Sequence, residues 1–266
     1  MGLTSFVEDD LALLRRHFDV RVFHFEAEQA SSATGLARLW TRQGAWLLRE
    51  LPEADLVFGW FADHHVALPT LLAPWFDVPV AVVLGGMDCN WLPEYGYGVW
   101  DSRWRAPLVR WVVKRADLLP TVSPTLIEAE EQYSNWPEPR ENGIKAHVPD
   151  LQTPHPVVPL GFRPDDWPMG PADRSPTVAT VALLDSWRTY KIKGIDLFLA
   201  AARRMPDVDF RVVGVSPDFA TALRTQEPVP DNVRLCPPRP RDQLSAVYQE
   251  AAVYAQLSRV EAFGLV

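Results

Sequence analysis

The spacing of hydrophobic positions changes period repeatedly along this chain, and each change marks an element. "SFVEDDLALLRRHF" sets Val7, Leu11, Leu14 and Phe18 three or four residues apart, the spacing of one helical face. "VRVFHF" (Val20–Phe25) then predicts a strand and "GLARLWTRQGAWLLREL" a second helix. "DLVFGWF" predicts a strand ending near His64 and His65, "ALPTLLAPWF" a short helix, and "VPVAVVLGG" a buried strand. A helix follows in "RWRAPLVRWVVKRA" and a strand in "DLLPTVS". "PTLIEAEEQY" predicts a helix entered through Pro124 behind a Ser123 cap, and "HPVVPLG" a short strand.

The strands are near-continuous apolar runs and they alternate with helices. That combination predicts a parallel sheet covered by helices on both faces. "GFRPDDWPMGPADRSP", rich in Pro, Gly and Asp, interrupts the pattern and reads as a linker. Beyond it the alternation restarts. "TVATVALL", "VDFRVVGV", "NVRLCPP" and "AVYAQLS" read as strands, and "KGIDLFLAAARRM", "SPDFATALRTQ" and "RDQLSAVYQEA" as helices. The reading is therefore α/β throughout. It places a Rossmann-like domain at 1–162, a linker at 163–176 and a second such domain at 177–266. Both ends read as cut: a helix comes first where a strand is usual, and "AFGLV" looks like the start of a covering helix.

Composition narrows the function classes. Of the 266 residues 47% are hydrophobic and 23% charged, ordinary for a globular chain, and the formal net charge is -8. A broad nucleic-acid surface, which needs clustered cations, is not expected. Cys89 and Cys236 fit no metal spacing and read as free thiols in a reducing compartment. With no apolar run of spanning length and no signal-peptide pattern, a cytoplasmic protein is expected. The Trp-rich "WDSRWRAPLVRW" reads as a core helix with a basic outer face; peripheral contact with the inner membrane face is the alternative.

Two stretches fall where a ligand would meet such sheets, beyond the carboxyl ends of strands. "SRVEAFGLV" follows the last predicted strand, and the N–H groups of a helix start there would attract a phosphate. "DSWRTYKIKGIDLFLAAA" holds Arg188, Lys191 and Lys193 within six residues after a strand. In an acidic chain this makes a local anion pocket; a solvated basic loop is the plainer reading. His64 and His65 read as a surface loop pair, or as an imidazole offered to a cleft.

At these landmarks the sequence resembles the GT4-type retaining glycosyltransferases, which have the GT-B fold. "TVALLDSWRTYKIKGIDLFLAAARRMPDVDFRVVGV" and "VYAQLSRVEAFGLV" resemble the donor domain. "DLVFGWFADHH", "VPVAVVLGGMDCNWLPEYGYG", "ADLLPTVSPTL" and "VVPLGFRPDDW" resemble the acceptor domain and linker, so the likeness covers nearly the whole chain. It implies two Rossmann-like domains, the second incomplete. It implies a nucleotide-diphosphate sugar as donor and a glycan, a lipid-linked molecule or a small molecule as acceptor. Arg188 and Lys193 would hold the diphosphate beside Gly194, and Glu261 would be the first acid of an E-x7-E motif at the donor sugar. The backbone of Phe263, Gly264 and Leu265 would meet sugar and phosphate, and the second acid would fall at position 269. Glu261, Lys193 and Arg188 would thus be the catalytic set, and poor or absent donor affinity and activity are expected of the 266-residue chain.

On the acceptor side "GGMD" stands where many members read His-Gly-x-Asp, so Gly85 replaces the histidine while Gly86 and Asp88 remain. Asp207–Asp209, "DVD", has the form of the metal-binding acids of the other main glycosyltransferase fold. It precedes a predicted strand, so it reads as a solvated turn, and neither a metal nor another cofactor is expected. A GT-B-fold epimerase and a non-catalytic nucleotide-sugar or glycan-binding module are the alternatives. A nicotinamide-dependent dehydrogenase is set low, because no G-x-G-x-x-G follows a strand.

Overall fold

Ser32 opens the first long helix in the way its chemistry favours, its hydroxyl accepting the Gly35 N–H at 3.1 Å. The computed structural model describes residues 5–26, 32–132 and 136–266. It divides into two compact units, Met1–Leu160 and Gly161–Val266.

The first unit contains α1 (Ser5–Leu14), α2 (Ala33–Glu50), β1 (Val57–Trp60), α3 (His64–Leu72), β2 (Val80–Val83) and α4 (Arg105–Arg115). Strands β3 (Ala129–Glu131) and β4 (Arg140–Asn142) and the single turn α5 (Ile144–His147) follow. β1 and β2 pair in parallel, from Val57 opposite Val80 to Trp60 opposite Val83. Leu39, Gln43 and Leu47, four apart, form the buried face of α2.

The sequence expectations fail here in several places, and the strand expected in "HPVVPLG" is a single bridge of Val157 to Thr121. Residues 20–25 form no ladder; Phe23 packs on Trp46 at 5.5 Å and Arg21 pairs with Glu50 at 2.6 Å instead. The strand expected at 117–123 reaches the sheet only through bridges of Leu118 to Ala81 and Thr121 to Leu84. Pro120 breaks it: its carbonyl accepts the Leu84 N–H, but it has no N–H to return. The helix expected from Pro124 is one 3-10 turn, Pro124–Leu126, and then β3, which pairs antiparallel with β4; Tyr133, its last predicted residue, lies outside the described residues. Glu128 and Glu131, three apart, would repel one another on a helix surface. In the hairpin Glu131 accepts from Asn142 at 3.1 Å and Glu128 pairs with Lys145 at 2.9 Å.

The second unit follows its predicted pattern closely. β5 (Thr177–Leu184), α6 (Trp187–Ile192), α7 (Ile195–Arg204), β6 (Asp209–Val215), α8 (Pro217–Gln226), β7 (Val233–Cys236), α9 (Arg241–Glu250) and β8 (Val253–Tyr254) come in order. The four strands form a parallel sheet in the order β7-β6-β5-β8. Alternation along β6 sends Phe210 and Val212 into a core with Phe198, Leu199, Phe219 and Leu223 of α7 and α8. Val213 points the other way, into a smaller core with Ala179 and with Val247 and Ala251 at α9. The Phe198 and Phe210 rings meet edge to face at 5.1 Å, adding ~0.5–1.5 kcal/mol to their burial. The Pro-rich stretch before β5 is docked on α9: Trp167 packs on Tyr248 at 5.4 Å and Arg174 donates to the Ala251 carbonyl at 2.9 Å.

Two readings are corrected. The run carrying Arg188 and Lys191 is the helix α6, not a loop, because Ser186 and Thr189 form a reciprocal capping box at its start. "AFGLV" forms no helix: Gly264 takes φ +73°, a left-handed conformation that ends helices rather than continuing them. Among the described residues no helix is long and apolar enough to cross a membrane.

A candidate anion site at the carboxyl end of the second sheet

The strand order of the second unit places its own ligand position. From β5 the chain steps to β6 and β7 on one side, then crosses back to β8 on the other. The direction of winding therefore reverses between β5 and β8, and ligands of open α/β sheets bind beyond the strands at such a reversal. The segments leaving β5 and β8 carry Lys193 and Glu261, and they meet. Lys193 Nζ lies 2.6 Å from Glu261 Oε1, with both side chains about one-third exposed. The same oxygen accepts from Gln256 Nε2 at 2.6 Å and from the Ser258 hydroxyl at 2.9 Å. Gln256 is held in turn by Tyr254, whose phenol donates to its Oε1 at 2.6 Å. Burial pushes the Tyr254 phenol above its ordinary range, so it stays a donor at neutral pH.

Gly194 explains how the two segments approach so closely. Its φ is +64°, and a β-carbon there would lie 1.8 Å from the Leu257 carbonyl oxygen. Only glycine fits both the backbone angle and the contact. Of the other donor-side candidates, Arg188 is exposed on the first turn of α6, and Phe263, Gly264 and Leu265 are exposed beyond Glu261. The structure thus joins Lys193, Gly194 and Glu261. Gln256 and Tyr254 were missed by the sequence reading; they lie on a predicted strand, and no motif marks them.

In the first unit, Asp88 is buried, and its carboxylate accepts backbone N–H groups of Ala62 at 3.0 Å, Gly86 at 2.8 Å and Gly85 at 3.2 Å. Burial raises its pKa, and these amides work against that rise. Gly86, at φ +139°, forms part of this loop. A β-carbon at Gly85 would strike the Phe61 ring at 2.2 Å, so that ring fills the space a larger residue would need. His64 and His65 are not a loop pair: they form the first turn of α3, capped by Asp63, which accepts the His64 N–H at 2.7 Å. His65 Nε2 lies 2.6 Å from the Trp60 carbonyl, which can only accept, so the neutral ring carries its proton there. Burial lowers the His65 pKa and keeps it neutral. His64 Nδ1 lies 3.0 Å from Asp63 Oδ1. Burial raises the Asp63 pKa, but His64 and Arg105 more than offset this and hold its carboxyl well below the usual range.

Among the described residues no group of three or more His, Cys, Asp or Glu side chains could hold a metal ion.

Residues 182–266, which contain all of the donor-side candidates, match the family model described as glycosyl transferases group 1. D-inositol 3-phosphate glycosyltransferase of Mycobacterium sp. (strain JLS) is 30% identical over 194 residues, 62% of this chain and 44% of that protein. The protein of the same name from Segniliparus rotundus is 37% identical over 124 residues, 42% of this chain and 27% of its own length. The chain thus spans less than half the length of these relatives. Sucrose-phosphate synthase from Thermosynechococcus elongatus superimposes with a TM-score of 0.62 at 16% identity, over 87% of this chain and 57% of that one. A TarM structure gives 0.56 at 10% identity, over 87% and 41%. These likenesses show the fold, the GT-B fold that the sequence implied. Over residues 182–266 the chain is thus similar to the group 1 glycosyl transferases.

Proposed function

We propose that the protein transfers a sugar from a nucleotide-diphosphate sugar to an acceptor with retention of configuration, and that Lys193 receives the donor's diphosphate. The observation that supports this most is the Lys193–Glu261 pair at the winding reversal, within the segment that matches the family. A carboxylate on a lysine is an anion on its cation, and a phosphate oxygen makes the same contact. With donor bound, Lys193 would neutralise charge developing on the leaving diphosphate, Arg188 would add a second cation, and the Phe263–Leu265 backbone would offer N–H donors. Glu261, displaced from Lys193, would accept from hydroxyls of the donor sugar. In this reading cations and backbone dipoles serve the leaving group, with no metal ion and no protein nucleophile. The relatives' name makes a small phosphorylated polyol the first acceptor to test. In the first unit, Asp88 holds its loop in shape, and His65 ties the first turn of α3 to the end of β1.

The test, run on a full-length version of the protein, is a panel of uridine-, guanosine- and adenosine-diphosphate sugars with inositol 3-phosphate as acceptor, with the anomeric configuration of any product read by NMR. One donor is expected to bind, to transfer with its configuration kept, and to be lost in Lys193→Ala. Donor binding without turnover would favour a binding module instead. No donor binding at all would overturn the proposal.

A further inference from the structure

Lys193 and Glu261 cannot set their own geometry. Each is about one-third exposed, and water screens a pair of that kind so well that it holds little in place. Something stiffer must hold their segments together. Arg259 grips Asp196 with both ends of its guanidinium, Nη1 to Oδ1 at 2.8 Å and Nη2 to Oδ2 at 2.9 Å. Both side chains are largely buried, 14% and 16% exposed. Lys191 Nζ adds a contact to Asp196 Oδ2 at 2.9 Å, and Arg259 Nη1 also donates to the Lys191 carbonyl. The Arg259 backbone N–H donates to the Ile192 carbonyl at 2.8 Å.

The placement matters as much as the contacts. Asp196 lies three residues after Lys193, and Arg259 two residues before Glu261. β8 pairs with β5 over Val253 and Tyr254 only, followed by one further bond from the Ala255 N–H to Ala179. Beyond Ala255, among the described residues, the backbone bond tying this stretch to the rest of the unit is the one from Arg259. The clasp therefore closes directly on both sides of the anion site. Burial raises the Asp196 pKa, while Arg259 and Lys191 more than offset it, so the carboxylate stays charged.

We propose that Arg259 and Asp196 are a positioning pair: they touch no anion, but they fix Lys193 at the distance from Glu261 at which an anion is received. This rests on the reading of Lys193 as the diphosphate's cation. A bidentate arginine differs from a lysine in geometry, not in charge, so Arg259→Lys is the informative change. Asp196→Asn, which keeps shape and loses charge, is the second.

Pyrophosphate is the probe, titrated by calorimetry and, for weak variants, by phosphorus NMR line broadening. Each single variant is expected to bind it about tenfold more weakly, the scale of coupling inside one ion-pair network. In a Lys193→Ala background the same substitution is expected to cost nothing further, because the clasp acts through Lys193. Equal losses in both backgrounds would show general loosening and overturn the proposal, as would unchanged affinity in the variants that keep the wild-type circular dichroism. A wild-type protein that ignores pyrophosphate would overturn the donor-site reading itself, and the clasp's role with it.

Discussion

Replacing Gly194 by alanine separates two physical costs that usually come together. The first is conformational: φ of +64° is strained for any L side chain, by ~1–2 kcal/mol. Part of this is recovered, ~0.4–1 kcal/mol, because alanine restricts the unfolded chain. The second cost is steric. The new β-carbon would sit 1.8 Å from the Leu257 oxygen, and a separation of 3.0 Å requires an opening of at least 3.0 − 1.8 = 1.2 Å. A shift of that size breaks the Arg259–Ile192 backbone bond, worth ~1 kcal/mol, and disturbs the bidentate ion pair beside it. Together these bring the loss to ~2 kcal/mol. Gly264 is the control: its φ is +73°, and nothing lies within 4 Å of its would-be β-carbon. Gly264→Ala should therefore cost ~1 kcal/mol or less. Urea unfolding followed by circular dichroism gives both numbers. Equal losses at the two positions would refute the contact between Gly194 and Leu257, and with it the close approach of the two site segments.

Lys193→Ala should cost ~1 kcal/mol or less in urea unfolding, since the pair it breaks is partly exposed, while pyrophosphate affinity falls at least ~10-fold. Asp63 is held ionised by His64 and Arg105 against its burial, so it adds stability above the ordinary carboxylate range. That stability is lost as pH falls below ~4, and Arg105→Met should move the acid-unfolding midpoint to higher pH. His147 stacks on Trp100 at 4.3 Å, and burial, with Arg110 nearby, lowers its pKa to about 4. The unfolded chain binds the extra proton between ~6.5 and about 4, so stability should rise with pH across that window, and His147→Phe should flatten the profile. Asp88→Asn leaves one acceptor oxygen where three backbone N–H groups converge, and should cost ~2–3 kcal/mol in thermal or urea unfolding.

The sequence was most informative where local and global preferences agree. In the second unit the apolar runs at 177–184 and 209–215 are buried strands, and the period-3.6 segments after them are helices. Lys193 and Glu261, 68 positions apart, could be brought together on paper only through the family resemblance; the strand order supplies the reason they meet. Where the reading failed, a longer-range partner decided. Residues 128–131 looked helical by composition, but Asn142 and Lys145 offer their glutamates better partners in a hairpin. The DSWRTYK run reads as a loop because its cations stand out, yet Ser186 and Thr189, three residues apart, form a capping box that starts a helix. Gln256 and the Asp196–Arg259 clasp have no periodicity of their own. Their roles depend on which segments the sheet order makes neighbours.

The central claim is that an anion of the diphosphate class replaces Glu261 on Lys193. Calorimetric titration of pyrophosphate into the wild-type protein and into Lys193→Ala tests it most directly. Saturable binding in the wild type, weakened at least ~10-fold in the variant, is the predicted result. Equal affinity in the two proteins, or no binding in the wild type, would contradict it.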